Sequence, residues 1–306
     1  MHALVSIPEP PYAELREVPD PEPLAHQTVV EVKAFSLNRG ECKRLQSKPP
    51  GQLTGWDLAG VVAAPARDGS GPAAGARVVG LVPAGAWAHR VAVDTELLAE
   101  LPEAVSFEQA ATLPVAGLTA LRSLEVAGFV LGKELLVTGA SGGVGRFAIQ
   151  LASLAGARVT AMARRTAGLA ELGAAEVISE LVPSESPQFE VILDAVGGPV
   201  LGAALQRVTS GGIVINFAAT VPEPVSYPTR ELFSRAPGAR LYGLYIFSEL
   251  QHSRSGAADL RRLADLVAAG RLDPQIDTVA SWTEGQSAIE ALLNRRVAGK
   301  AVLTVD

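Results

Sequence analysis

Apolar residues follow two rhythms along this chain. Up to Val93 they come in short runs, "TVVEVKAFSL" (28–37), "DLAGVVAA" (57–64), "ARVVGLV" (76–82) and "WAHRVAV" (87–93), separated by Pro- and Gly-rich turns. Short Val-rich runs bounded by turn formers predict the strands of a mostly β unit. The spacing lengthens near Phe107. "SFEQAATLPVAGLTALRSLEVAG" (106–128) predicts helices, with Ser106 as the N-cap. From Glu134 onward the two patterns alternate. Strands are expected at 134–138, 157–163, 175–179, 190–195, 212–218 and 240–247, and helices at 144–155, 167–172, 199–208 and 257–269. Such alternation predicts an α/β unit, a doubly wound parallel sheet with helices on both faces. The closing "TVASWTEGQSAIEALLNRRVAGKAVLTVD" reads as strand, helix and strand, with Thr283 and Gln286 as a capping box. Six strands already complete the α/β unit, so the last strand is expected back in the N-terminal β unit.

Length and charge narrow this picture. The 306 residues exceed what one core usually serves, which predicts two domains. A net charge of −6 argues against a nucleic-acid surface and offers no attraction to an anionic membrane. No apolar run is long enough to span a bilayer, and "MHALVSIPEPPYAEL" has no apolar signal core, so a soluble cytoplasmic protein is expected. The single cysteine, Cys42, supports neither a disulfide framework nor a multi-cysteine zinc site.

The densest chemical signal is "LLVTGASGGVGRFAIQLA" (135–152). A strand runs into a glycine-rich turn and a helix follows. Read as Ala140-x-Gly142-x-x-Gly145, it is the dinucleotide fingerprint with Ala in place of the first Gly. Gly142 lets backbone approach a diphosphate, Gly145 lets the helix pack on the strand, and Ser141, Gly143 and Val144 bring amides to the helix N-terminus. The second strand, "ARVTAMARR", ends near Ala163 without the carboxylate that would hold a ribose 2′-hydroxyl, and Arg164 and Arg165 follow. An arginine there can bind a 2′-phosphate by a forked contact, so the expected cofactor is NADPH. The alternative is a pair of solvated surface arginines. Glu180, after the third strand, would repel such a phosphate if it came close.

These stretches, with "AFSLNRGECKRL" (34–45), "GWDLAGVV" (55–62), "LPEAVSFEQAATLPVAGLTAL" (101–121), "VILDAVGG" (191–198) and "GKAVLTVD" (299–306), resemble a medium-chain dehydrogenase/reductase of the zinc-free quinone oxidoreductase branch. The resemblance implies a GroES-like, mostly β catalytic domain built from 1–115 and 270–306, around an inserted Rossmann domain, 116–269. It places the active site in a cleft between them and implies a homodimer joined through the Rossmann edge strand, here "ARLYGLYIF" (239–247). Trp56 stands where zinc-dependent relatives carry a histidine, and His2, His26, His89 and His252 show no ligand spacing.

By the same resemblance the substrate is a quinone or the C=C bond of an α,β-unsaturated carbonyl, possible in secondary metabolism. Asn38 matches a position near the nicotinamide, or is simply a turn cap. Thr119 matches a position packed beside that ring. Asn216, Phe217 and Ala218 would meet the cofactor with their backbone, and Tyr245, Ile246 and Phe247 would cover it, unless these aromatics are core or interface residues. Lys43 stands about where many such reductases carry a tyrosine, as a proton donor or as an exposed lysine. Asp57 is expected to order its own loop. A non-catalytic NADPH-binding protein, or a zinc-dependent alcohol dehydrogenase, is the competing reading.

Overall fold

The computed structural model describes residues 1–10, 12–182 and 188–305. Contacts divide the chain into two compact units, Met1–Leu118 with Leu250–Asp306, and Thr119–Glu249. Among the described residues no helix is long and apolar enough to cross a membrane.

The first unit opens with a hairpin of β1 (His2–Ser6) and β2 (Ala13–Glu17). Then come β3 (Gln27–Leu37), α1 (Arg39–Leu45), β4 (Asp57–Ala64), β5 (Arg77–Leu81), β6 (Arg90–Asp94), β7 (Leu98–Glu100), α2 (Phe107–Ala111) and a π-helical turn, Leu113–Gly117. The Ser106 hydroxyl caps α2 by accepting from the Gln109 amide at 3.2 Å. The second unit takes in α3 (Leu118–Ala127), β8 (Glu134–Thr138), α4 (Gly143–Leu154), β9 (Arg158–Met162), β10 (Glu176–Ile178), β11 (Phe189–Asp194), α5 (Gly198–Arg207), β12 (Val208–Asn216), α6 (Thr229–Arg235), β13 (Arg240–Gly243) and the start of α7 (Ile246–Ser253). The chain closes in the first unit with α8 (Gly256–Ala268), β14 (Ile276–Ser281), α9 (Gly285–Leu293) and β15 (Lys300–Thr304).

The larger sheet of the first unit has the order β14-β15-β3-β4-β5-β7, with β6 also paired to β3. The closing strand does return: β15 runs antiparallel to β3, with Ala301 opposite Leu37 and Thr304 opposite Ala34. Phe35, Leu58, Trp87, Trp282 and Leu303 are buried in the core of this unit. The second unit is a six-stranded parallel sheet, β10-β9-β8-β11-β12-β13. Its chain steps outward from β8 to β10, then restarts on the other side at β11, so the strand order reverses between β8 and β11. Ligands of such sheets bind beyond the carboxyl ends of the strands at that reversal.

Four expectations need correction. The strand expected over 240–247 ends at Gly243, and Ile246–Ser253 is a helix. Its Leu, Tyr, Ile and Phe favour a strand locally, but Ile246 and Leu250, one helical turn apart, are both buried, and that apolar stripe decides. The helix expected at 167–172 is a set of turns, because the segment between Gly168 and Gly173 is too short to propagate one. The capping box of Thr283 and Gln286 does not form: the Ser281 hydroxyl accepts from the Thr283 amide at 3.3 Å and starts a short 3-10 turn, Trp282–Glu284, ahead of α9. Helix α8 lies in the first unit rather than with the Rossmann strands, with Leu260, Leu263 and Ala264 buried as it packs on β7 and the π-helical turn.

Candidate functional site

Two groups of polar residues stand out, one in each unit. In the second unit β8 ends at Thr138 and the chain turns over Gly139, Ala140 and Ser141 into α4. The Ala140 amide donates to the Met162 carbonyl at 3.0 Å, which ties the turn to the end of β9. Ala140 and Gly145 are buried, whereas Ser141, Gly142, Gly143 and Val144 reach the surface. A Cβ on Gly145 would lie 2.6 Å from the Ala140 Cα and 2.7 Å from its carbonyl oxygen, so only glycine lets α4 seat on the turn. A Cβ on Gly142 would meet only the Gly139 carbonyl oxygen, at 3.4 Å, and the space beyond is open. No side chain caps α4 and no acidic residue occupies its first turn. Its first amides therefore lack intrahelical partners and carry the positive end of the helix dipole. This open backbone cradle fits the diphosphate of a dinucleotide.

A buried carboxylate holds the neighbouring strand ends. Asp194, at the end of β11, accepts from the Thr138 hydroxyl at 2.5 Å, the Gly197 amide at 3.0 Å and the Asn216 carboxamide at 2.8 Å. The Asn216 carboxamide also donates to the Ala218 carbonyl at 2.8 Å, and the Phe217 amide donates to the Asp194 carbonyl at 3.1 Å. Asn216, Phe217 and Ala218 thus form a fixed turn at the carboxyl end of β12. Arg164 and Arg165 are exposed directly after β9, and Glu180 is exposed after β10. Arg146, which sequence reasoning passed over, is buried under the cradle: it donates to the Ser141 carbonyl at 3.3 Å and to the Ala167 carbonyl at 3.4 Å. It links the glycine turn to the segment that follows the two arginines. Tyr245 is exposed, Ile246 is buried, and the Tyr245 and Phe247 rings lie 5.5 Å apart.

The first unit holds a buried ionic cluster. Asn38 directly follows β3 and is the N-cap of α1. Its carboxamide NH2 donates to Asp57 at 2.7 Å and to Glu41 at 3.0 Å, while its carboxamide oxygen accepts from Lys300 at 2.8 Å. Asp57 is fully buried. One of its oxygens accepts from the Ser36 hydroxyl at 2.6 Å, from Asn38, and from Lys300 at 3.4 Å; the other accepts from the Val115 amide at 2.9 Å. Contrary to the expectation from sequence, Asp57 does not order its own loop; among the described residues the one backbone partner of its side chain is the Val115 amide, so it holds the π-helical turn instead. Glu41 accepts from the Asn38 amide at 2.7 Å through Oε1, while its buried Oε2 has no hydrogen-bond partner. Burial, and then the negative charge of Asp57, push its carboxyl up to about 8. Burial also raises the Cys42 thiol well above its usual range.

The other candidates fall outside this cluster. Lys43 lies on the exposed side of α1, and its side chain has no hydrogen bond or ion pair to any described residue. Thr119 is buried in the first turn of α3; its carbonyl accepts from the Ser123 hydroxyl at 2.7 Å, and its own hydroxyl has no partner among the described residues. Trp56 packs beneath the Arg44 guanidinium, 5.1 Å from its ring centre. His2 and His89 face each other edge to face, and His26 pairs with Asp94. Among the described residues no group of three or more His, Cys, Asp or Glu is placed to hold a metal ion.

Lys300 and Glu41 were missed from sequence. The available signal was a charged residue in each of two otherwise apolar patterns, the buried face of α1 and the inward run of β15.

A sequence model described as zinc-binding dehydrogenase matches residues 172–303. The chain is 33% identical over 297 residues to a spectinabilin polyketide synthase system protein of Streptomyces orinoci, covering 91% of this chain. It spans 13% of that protein's length and 8% of that of a second relative, the erythronolide synthase EryA2 of Saccharopolyspora erythraea. It is 26% identical to the acryloyl-coenzyme A reductase of Metallosphaera sedula, with 95% of this chain and 96% of that one covered. The quinone oxidoreductase of Coxiella burnetii superposes with a TM-score of 0.82 at 28% identity, over 100% of this chain and 99% of that one. With its strand order, its glycine turn and these relatives, the chain belongs to the medium-chain dehydrogenase/reductase superfamily, and a quinone oxidoreductase and an acryloyl-coenzyme A reductase are among the proteins it is similar to.

Proposed function

We propose that the chain is an NADPH-dependent reductase of quinones or of the C=C bond of α,β-unsaturated carbonyl compounds, working without a metal ion. The observation that carries this reading is the open cradle at Ser141–Val144, free of side-chain caps and acidic groups, at the head of α4. Ala140 and Gly145 hold the cradle's shape from below. Asn216, Phe217 and Ala218, fixed by Asp194, offer backbone at the neighbouring strand end. Tyr245, Ile246 and Phe247 flank the far edge of the sheet. When bound, NADPH supplies a hydride. Thr119, with its unpartnered hydroxyl, is available to donate to the oxygen on which an enone or quinone gathers charge. Asn38 is not, because both of its carboxamide protons are engaged by Glu41 and Asp57. The absence of a metal is supported by Trp56 at the histidine position and by the scattered histidines. The polyketide synthase relatives favour acyl enones as the natural class.

Arg164 and Arg165 support the choice of NADPH over NADH. They follow β9 directly, whereas Glu180 lies one strand further out. Arg164→Glu is expected to raise the KM for NADPH about tenfold to a hundredfold, the loss of one charge-assisted contact, and to change that for NADH less than about twofold. Equal effects on both coenzymes remove the argument. Turnover is tested with a panel of small quinones and conjugated enones. Tight coenzyme binding without turnover favours a non-catalytic NADPH-binding role.

Pairing of two copies along β13 belongs to the same proposal. The strand is the sheet edge and all four of its residues are exposed, Leu241 and Tyr242 among them. An open apolar edge invites pairing. Light scattering is expected to give the dimer mass, and a monomer at micromolar concentration would remove this part.

A further inference from the structure

Lys300 lies at the start of β15 with 2% of its surface exposed. All three of its ammonium protons have acceptors: the Leu37 carbonyl at 3.3 Å, the Asn38 carboxamide oxygen at 2.8 Å and Asp57 at 3.4 Å. One side chain thereby joins the end of β3, the cap of α1 and the start of β4. The second oxygen of Asp57 then holds the Val115 amide at 2.9 Å, in the middle of the π-helical turn Leu113–Gly117. A π-helical turn is rare and is found mostly as a single turn, frequently at functional sites. This one runs without a break into α3, whose first turn carries Thr119.

Stability alone does not explain the arrangement. A buried ion pair must overcome the desolvation of both partners, and apolar residues of similar volume fill such a site at no loss. What the pair supplies, and apolar residues do not, is direction. Each proton of Lys300 selects one acceptor, and each lone pair used on Asp57 selects one donor. We propose that Lys300 is a positioning residue, which through Asn38 and Asp57 fixes the π-helical turn Leu113–Gly117 from which α3 and Thr119 start. The inference rests on the reductase reading for its catalytic consequence, but its structural part stands apart from that reading.

Two variants test it. Lys300→Met leaves Asp57 buried without its cation. The double variant Lys300→Met/Asp57→Asn removes both charges. In the double variant the carboxamide at position 57 faces the Asn38 NH2, donor against donor, unless it turns and releases the Val115 amide. Four quantities are read for wild type and both variants: melting temperature, NADPH affinity by fluorescence titration, kcat with a quinone or enone, and hydrogen exchange over residues 113–117.

Lys300→Met is expected to exchange at 113–117 at least tenfold faster and to lose kcat about tenfold to a hundredfold, with the NADPH Kd within about twofold. The double variant is expected to regain melting temperature relative to Lys300→Met while exchange stays fast and kcat stays low. Recovery of kcat together with melting temperature would make the pair merely structural and overturn the proposal. So would unchanged exchange at 113–117 in whichever variant folds. If wild type binds NADPH but turns over nothing, the reductase reading fails on its own, and exchange still decides whether Lys300 positions the turn.

Discussion

Gly145→Ala and Gly142→Ala are expected to fail in opposite ways, although the two glycines are three residues apart. At Gly145 the added methyl would lie 2.6–2.7 Å from the Ala140 Cα, the Ala140 carbonyl oxygen and the Gly139 carbonyl oxygen. All three are backbone atoms that no rotamer change can move. Helix α4 must then lift from the end of β8, and burial of Phe147, Ala148, Ile149 and Ala152 along it is weakened. Overpacking a core costs about 1–3 kcal/mol even where side chains can yield, and here they cannot. Thermal unfolding is expected to show a loss of at least about 5 °C, with coenzyme binding lost as a consequence. Gly142 has φ −81° and ψ 170°, which alanine adopts without strain, and its methyl would touch only the Gly139 carbonyl oxygen at 3.4 Å. The change of cap residue costs about 1 kcal/mol or less. The fold should hold. The methyl nevertheless stands on the open side of the cradle, where an anion must come close to the amides, so the NADPH Kd is expected to rise at least about tenfold, or about 1.4 kcal/mol. Wild-type affinity in a folded Gly142→Ala protein would show that no diphosphate rests there.

What could be read from sequence was local. The strand expected at 57–64 is β4 and that expected at 134–138 is β8, because each is a run of apolar residues with turn formers at both ends. Ser106 reads as a cap because its partner, the Gln109 amide, is three residues away. The glycine turn reads as a cradle because strand, turn and helix are contiguous. Where two local preferences competed, the reading failed. In "ARLYGLYIF" strand propensity and a helical stripe overlap, and only the burial of Ile246 and Leu250 together decides between them.

The ionic cluster lay out of reach for a different reason. Asn38 and Asp57 were each singled out, but their shared partner Lys300 is 262 residues from one and 243 from the other. No periodicity encodes such a meeting. It follows only once β15 is known to pair with β3 in one register, Ala301 opposite Leu37, which sets Lys300 beside the end of β3. That register also changes the meaning of Asn38. Considered alone it is a neutral donor available to a ligand; in the folded chain its donors are taken, and it becomes the joint between α1 and the cluster. Lys43 illustrates the converse, since a one-residue step along a short helix separates the buried Cys42 from an exposed lysine.

Charge counting within the cluster leads to the largest expected pH effect. One buried lysine faces two buried carboxylates, Asp57 and Glu41, and one acceptor atom, Glu41 Oε2, lacks a donor. A proton on Glu41 removes the excess charge, in keeping with a carboxyl pushed up to about 8 by burial and by Asp57. In the unfolded chain the same group loses its proton near 4.5. Between these values the folded state holds a proton that the unfolded state has released, so raising the pH favours unfolding. The stability that Glu41 contributes is whole below about pH 4.5, falls steadily above it and is gone once the pH passes about 8, a total on the order of 5 kcal/mol. Glu41→Gln keeps the oxygen that accepts from Asn38 and cannot ionise. Urea unfolding from pH 5 to pH 9 is therefore expected to show similar stability for the two proteins at the acid end, and a variant more stable than wild type by several kcal/mol at the alkaline end. The other titrating groups are common to both proteins, so the difference between the two curves isolates Glu41. Parallel curves across that range would mean that Glu41 is already ionised in the folded protein at neutral pH, and the cluster would then carry a net negative charge that Lys300 alone must offset.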